Sequence, residues 1–360
     1  MTESAAWQLP GAANWAKLQI VPLDATAELP AQPPINPCFA AGTRILTELG
    51  EVKVEDLAIG DQAILAEGEI AEIIWIGRRD MDLTRHPVPS LVRPVRIAAG
   101  ALAMGVPERE LIISPDHALY FDGSLVQAKD LIDGVVIVQD HEIPSIRYYH
   151  VELKTHGILL AEGAGAESYL DTGHRGVFSN AAAPLILHQD LMQMRRQARS
   201  VAPLVTGGEE LAAIRAQLHA RKLMLGYSVT EAPALALKRG DSLLSPTDFS
   251  PGRVTFALPE DTADAILCCP VFVPAEVDPA SNDRRLLGIA LSEIMLDGKF
   301  VPLENVIEAG DMHRRAPRET ATWTRGAARL RFPPGTRTVT FLIAASPRLW
   351  RSQSPVASRQ

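Results

Sequence analysis

From Cys38 to Asn180 the chain is a succession of short segments in which apolar and polar residues alternate, each closed by turn-forming residues. An alternation with period two fits a half-buried strand and no helix, so this pattern restricts the region to β-structure. TRILTEL (43–49) and VKVEDL (52–57) flank a turn at Gly50-Glu51 and predict a hairpin. Further strands are expected in EIAEIIWIGRR (69–79), VRPVRIAAGAL (92–102), ELIISPDHALYFDG (110–123), VVIVQD (135–140) and RYYHVELKTHGILLAEG (147–163). Many short strands without a sustained helix predict an all-β domain over 38–180.

The flanks differ in texture. Residues 1–37 read as a leader segment ending in PAQPPINP, whose prolines cannot pair inside a sheet. A stretch of mixed character, 181–203, reads as a linker. The segment 204–350 reads as a second β-rich domain, with a sandwich as its expected form. Its one clear helix spans about 209–225, with Leu211, Ile214, Leu218 and Leu225 on one face and Gly226 as the stop. The strands expected after it lie in VTFALP, AILCCPVFVPAE, LLGIALSEIMLDG, ARLRF and TVTFLIAA. The fold class is therefore mainly β, in two domains.

Composition narrows the function. A formal charge of −8 argues against a nucleic-acid partner, which would need a basic face. No run approaches the roughly 20 apolar residues of a membrane span, and the first residues lack the layout of a cleavable secretory signal. The expectation is a soluble protein, cytoplasmic or exported by a route without such a signal. Of the three cysteines, Cys268 and Cys269 are adjacent; a strand would point them to opposite faces, so a disulfide scaffold is not expected and a reducing compartment fits better. No cofactor is expected, and no metal site, since His313 with Arg314, Arg315 and Glu319 lacks ligand spacing and reads as a solvated loop.

One block carries chemistry. CFAAGTRILTELGEVKVEDLAIGD, Cys38 to Asp61, begins with Cys and places Gly42-Thr43, Thr47, Gly50, Asp56-Leu57 and Gly60-Asp61 at characteristic spacing. It resembles the opening block of Hedgehog/intein (Hint) domains, most closely the bacterial free-standing type that carries Pro-Cys-Phe, as Pro37-Cys38-Phe39 does here. Ser114-Pro115-Asp116-His117 is similar to the family's Thr-x-x-His motif, with Ser for Thr. Tyr149 to Leu153 followed by His156 resembles its closing block, with His150 where the family has Asp or another residue. The resemblance implies a horseshoe-like all-β autoprocessing domain with a single-turnover cysteine chemistry.

The residue types agree with that chemistry. A thiol attacks the carbonyl just upstream and turns the peptide into a thioester, with the thiolate as the effective nucleophile. In this reading Cys38 is the nucleophile and His117 the acid that protonates the leaving amine. Ser114 orients and holds the developing oxyanion, and His156 is a weaker candidate for a later step.

The neighbours of Asn180 constrain the second step. Ser179 precedes it and Ala181 comes after it, so the His and acceptor nucleophile of splicing are absent. Cleavage at Pro37-Cys38 would then be resolved by water, a thiol or an amine. The alternative is a non-cleaving scaffold whose C-terminal domain binds a ligand or partner, because the Pro37 ring crowds the attacked carbonyl. A pre-toxin arrangement is the weakest reading, since the C-terminal domain shows no catalytic cluster. Asn282-Asp283-Arg284-Arg285 and Trp323-Thr324 resemble segments found after bacterial Hint domains, with no chemistry attached to them.

Overall fold

Thr47 and Gly50 close the first hairpin, and the side chain of Thr47 shows how. Its hydroxyl donates to the Gly50 carbonyl at 2.8 Å and accepts the Leu49 amide at 3.2 Å. The turn residues are therefore Glu48 and Leu49, two residues before the Gly50-Glu51 turn expected from sequence. Gly50, at φ 95°, opens the second strand in a conformation that favours glycine. The strands Arg44–Thr47 and Gly50–Lys53 pair Thr47 with Gly50 and Arg44 with Lys53.

The computed structural model describes residues 37–171, 178–180, 199–232, 234–313 and 320–353. The expected leader and most of the expected linker lie outside the described residues. All described residues belong to one compact unit, Ile35–Gln360. Among them the protein is mostly β, and no helix is long and apolar enough to cross a membrane.

The N-terminal body is built on a 14-stranded sheet. Its longest pairing sets Ser145–Leu153 antiparallel to Ile70–Asp82, with Tyr149 opposite Arg78 and His150 opposite Gly77. The strand Phe39–Ala40 sits between Leu111–Ile113 and Ser145–Leu153, so Phe39 faces Ile113 on one side and Tyr149 on the other. Phe39, Ile45, Ile73, Leu111, Leu119 and Val151 meet in one core and have no solvent exposure. Burying side chains of this size stabilises the fold by roughly 2 kcal/mol each.

The helix Gly208–Met224 carries the amphipathic face read from the sequence and ends before Gly226, at φ 84°. Leu211, Ile214 and Leu218 insert into the same core as Phe39 and Ile45. Just before it, Leu204–Val205 adds to the sheet in parallel with Ser124–Gln127. Residues 204–224, grouped by sequence with the C-terminal domain, are thus packed into the N-terminal body. An apolar helical stripe buries against whichever apolar surface the chain brings near it, and periodicity does not specify which.

The C-terminal body holds a four-stranded sheet, including Ala236–Arg239, Asp264–Cys268 and Ala327–Arg331. Its six-stranded sheet includes Arg253–Ala257, Ala290–Leu296 and Thr338–Ala345. Leu237, Leu267 and Leu330 from the first sheet share a core with Phe256, Ile294 and Phe341 from the second. Within AILCCPVFVPAE the strand stops at Cys268, and Pro274 opens a one-turn helix, Pro274–Val277, where the missing N–H of proline is no loss.

Charged and polar contacts join the two bodies. Lys222, paired with Asp133 at 3.4 Å within the N-terminal body, reaches across to Trp350, its Nζ 4.1 Å from the ring centre. Within the C-terminal body Trp350 Nε1 donates to the Glu276 carbonyl at 3.0 Å, and across the junction Arg215 donates to Asn282 Oδ1 at 3.0 Å.

Candidate functional site

Cys38 lies at the threshold of the strand Phe39–Ala40, and two hydrogen bonds hold it to one residue. Its backbone N–H donates to Ser114 Oγ at 2.8 Å, and the Ser114 N–H donates to the Cys38 carbonyl at 2.8 Å. The nitrogen concerned is that of the Pro37–Cys38 peptide. Sequence reasoning gave Ser114 the developing oxyanion; the geometry puts its hydroxyl on the opposite, nitrogen side of that bond. Ser114 reaches this place because it follows the strand Leu111–Ile113, whose Ile113 pairs with Phe39.

After Ser114 the chain turns. Pro115 suits the second position of a tight turn, and the His117 N–H donates to the Ser114 carbonyl at 3.1 Å. Lys129 braces the turn from outside, its Nζ 2.6 Å from Asp116 Oδ1. His117 is fully buried, its ring centroid 4.3 Å from that of Phe39 and 5.5 Å from that of His150. His150 is also fully buried and meets the Tyr169 ring edge-on at 4.8 Å. Gly77, opposite His150, leaves this cluster its room, since a Cβ there would fall 2.3 Å from the Trp75 ring and 2.8 Å from Phe178.

Cys38 itself is only 3% exposed and packs with Met81, Leu83, Val92, Tyr148, Tyr169 and Phe178. Burial pushes its thiol far above the ordinary range, and the positive charge of Arg79 offsets this only in part. Tyr148, whose hydroxyl donates to the Val92 carbonyl at 2.9 Å, is likewise pushed up, first by burial and then by Cys38. At rest the site holds a thiol, not a thiolate.

The structure brings Cys38, Ser114 and His117 together and gives His156 a different surrounding. The His156 Nδ1 accepts the Val201 N–H at 3.0 Å, which leaves its Nε2 to bond the Ser168 carbonyl at 3.1 Å. Glu167, which sequence reasoning missed, links the two regions. Its Oε1 accepts the Ala118 amide, next to His117, at 3.1 Å, and its Oε2 lies 3.9 Å from His156 Nε2. Glu167 is 1% exposed, and the only signal for it in sequence is a carboxylate among the small residues of AGAES. Asn180 bonds the middle of the strand Ile70–Asp82: its Oδ1 accepts the Arg78 N–H at 3.1 Å and its Nδ2 donates to the Ile76 carbonyl at 2.8 Å.

Cys268 and Cys269 are free thiols, as is Cys38. Among the described residues, no group of three or more His, Cys, Asp or Glu side chains is placed to hold a metal ion.

A β-module that seats a cysteine at its first strand, against a Ser-x-x-His turn and near a histidine of its longest strand pairing, has the layout of a self-processing-type domain. Residues 37–173 match the Hint domain family, so this part of the chain carries a Hint-type domain. Among solved structures, the gp41-1 intein is 13% identical, covers 37% of this chain and 98% of its own, and has a TM-score of 0.27. A bacterial intein-like domain from Clostridium thermocellum is 20% identical, with 37% and 98% covered and a TM-score of 0.26. A DnaB intein from Synechocystis is 10% identical, with 37% and 99% covered and a TM-score of 0.25. No curated protein matches this chain.

Proposed function

We propose that the N-terminal body cleaves the Pro37–Cys38 peptide through an N–S acyl shift, and that the thioester passes to water, a thiol or an amine. The observation that carries this reading is the 2.8 Å bond from the Cys38 N–H to Ser114 Oγ, in the same turn as buried His117. The Cys38 sulfur attacks the Pro37 carbonyl carbon, the C–S bond forms and the C–N bond breaks. The proton lost by the thiol is balanced by the proton gained at the Cys38 nitrogen, which leaves as an amine. His117 is the proton source, with the Ser114 hydroxyl rotating to donate to the nitrogen it accepted from. The entering nucleophile then takes the acyl group and returns the Cys38 thiol. Splicing is not part of this proposal, because Asn180 has neither a preceding His nor a following nucleophile.

Intact mass of the purified full chain, with and without hydroxylamine or a small thiol, tests the reading. The expected result is scission between residues 37 and 38, abolished in Cys38→Ala and untouched in Cys268→Ala.

One observation favours a second reading. Cys38 is sealed by apolar side chains with its thiol pushed up, behind a proline carbonyl, which suits a non-cleaving scaffold that has kept the fold. Pro37→Gly separates the two. Scission that appears only in that variant means a competent site silenced by its leader, and scission in neither protein means a scaffold.

A further inference from the structure

Two segments that the autoprocessing chemistry leaves unused, Asn282–Arg285 and Trp323-Thr324, are about forty residues apart in sequence. The fold brings them to one cleft. Its volume is about 510 Å³, and Trp323, Phe272, Asp283, Arg285, Glu231 and Arg348 are among the residues of its wall. We propose that this cleft binds a neutral saccharide.

Three features of the wall select that class. The first is aromatic: Trp323, backed by buried Phe272 with the rings 5.6 Å apart and tilted by 57°, lines the wall, and an aromatic side chain of this kind can pack against the C–H face of a pyranose. The second is polar. Arg285 clasps the Asp283 carboxylate, Nε to Oδ1 at 3.0 Å and Nη2 to Oδ2 at 2.7 Å. A fixed guanidinium–carboxylate pair offers donors and acceptors side by side, and sugar hydroxyls need both. The third is charge. Glu231 and Asp283 balance Arg285 and Arg348, so the wall has no formal net charge and gives a phosphate or carboxylate ligand no net attraction.

Trp323 and the Asp283–Arg285 pair are preorganised. The Trp323 carbonyl accepts the His313 N–H at 2.8 Å, and Ala290 pairs with Trp323 at the sheet edge. Asp283 Oδ1 accepts the Arg285 N–H at 2.9 Å, and the Asp283 carbonyl accepts the Ala275 N–H at 2.9 Å. Ligand binding therefore orders little that is not already ordered, which favours a measurable affinity from a small contact. This site lies in the C-terminal body and does not depend on scission at Cys38.

The test is saturation-transfer NMR and titration calorimetry on the full chain. The probes are maltotriose, cellotriose and tri-N-acetylchitotriose, with trigalacturonate as the anionic control. At least one neutral trisaccharide is expected to bind in the millimolar range or tighter. Trp323→Ala should weaken it by about tenfold or more, and Cys38→Ala should leave it unchanged. Trp323 is partly buried, so Arg285→Ala provides an independent check at an exposed position and should weaken binding several-fold. The proposal fails if none of the three neutral probes binds, if binding survives both cleft substitutions, or if trigalacturonate is preferred.

Discussion

Ser114 Oγ accepts the backbone N–H of Cys38 at 2.8 Å, and both residues are buried. The bond joins two positions 76 residues apart and fixes which side of the Pro37–Cys38 peptide the hydroxyl serves.

Removing that hydroxyl should act on stability and chemistry together. Ser114→Ala leaves the Cys38 N–H without its acceptor in a dry site, a loss of about 1–3 kcal/mol. Ser114→Thr keeps the acceptor and should keep scission. His117→Ala is expected to slow scission by about 10²–10⁴-fold, the usual range for an acid–base group. Urea unfolding and time-resolved intact mass on the same samples separate the two effects. Unchanged scission in Ser114→Ala would take the nitrogen-side role away from Ser114.

The raised thiols set a pH dependence with a definite sign. Burial pushes Cys269 up to about 11 and Cys38 further, while a thiol in the unfolded chain ionises near pH 8.5. The stability tied to these thiols is complete below about pH 8.5 and falls as the pH rises towards the folded-state values. Each contributes a decline of at most ~1.4 kcal/mol per pH unit. Melting curves between pH 7 and 11 should therefore show the wild type losing stability faster than Cys269→Ala. Parallel curves would mean that the thiol is not held protonated. Scission, which needs the thiolate, should accelerate throughout the same range without a plateau near pH 8.5.

Asn180 uses both ends of its side-chain amide on the backbone of Ile76 and Arg78. Asn180→Ala should lower stability by about 1–2 kcal/mol for the two bonds and leave the processing pattern as it was. A fragment beginning at residue 181 that vanishes in Asn180→Ala would restore C-terminal release.

The packing of Gly208–Met224 predicts how the two bodies separate. A protease site inserted within 181–203 and cut to completion should yield two fragments that still elute together, because Leu211, Ile214 and Leu218 are seated in the N-terminal core. Lys222, on the same buried face of the helix, adds to this grip through Asp133. Lys222→Ala leaves Asp133 buried without its cation and should destabilise the protein by roughly 3 kcal/mol, the scale of a broken buried pair. Thermal unfolding measures the second effect and size exclusion after cutting measures the first. Fragments that part freely would place the helix with the C-terminal body.

Much of the protein is set by local patterns, which are legible residue by residue. The alternation through Arg44–Thr47 and the strands after it, the Leu211, Ile214, Leu218 stripe and the block from Cys38 to Asp61 each report on neighbours within a few residues. Period, turn chemistry and motif spacing are therefore legible without coordinates. Which surfaces meet is settled by long-range packing. The helix could have closed either body, because a stripe records that it must be buried and not against what. Ser114 could have faced either side of the scissile bond, because only the register of Phe39 with Ile113 fixes it. Glu167 carries no motif, and it matters because sheet pairing brings Ala118 and His156 to opposite ends of one buried carboxylate. Long-range pairing is set by the sum of many weak contacts, and no single segment encodes that sum.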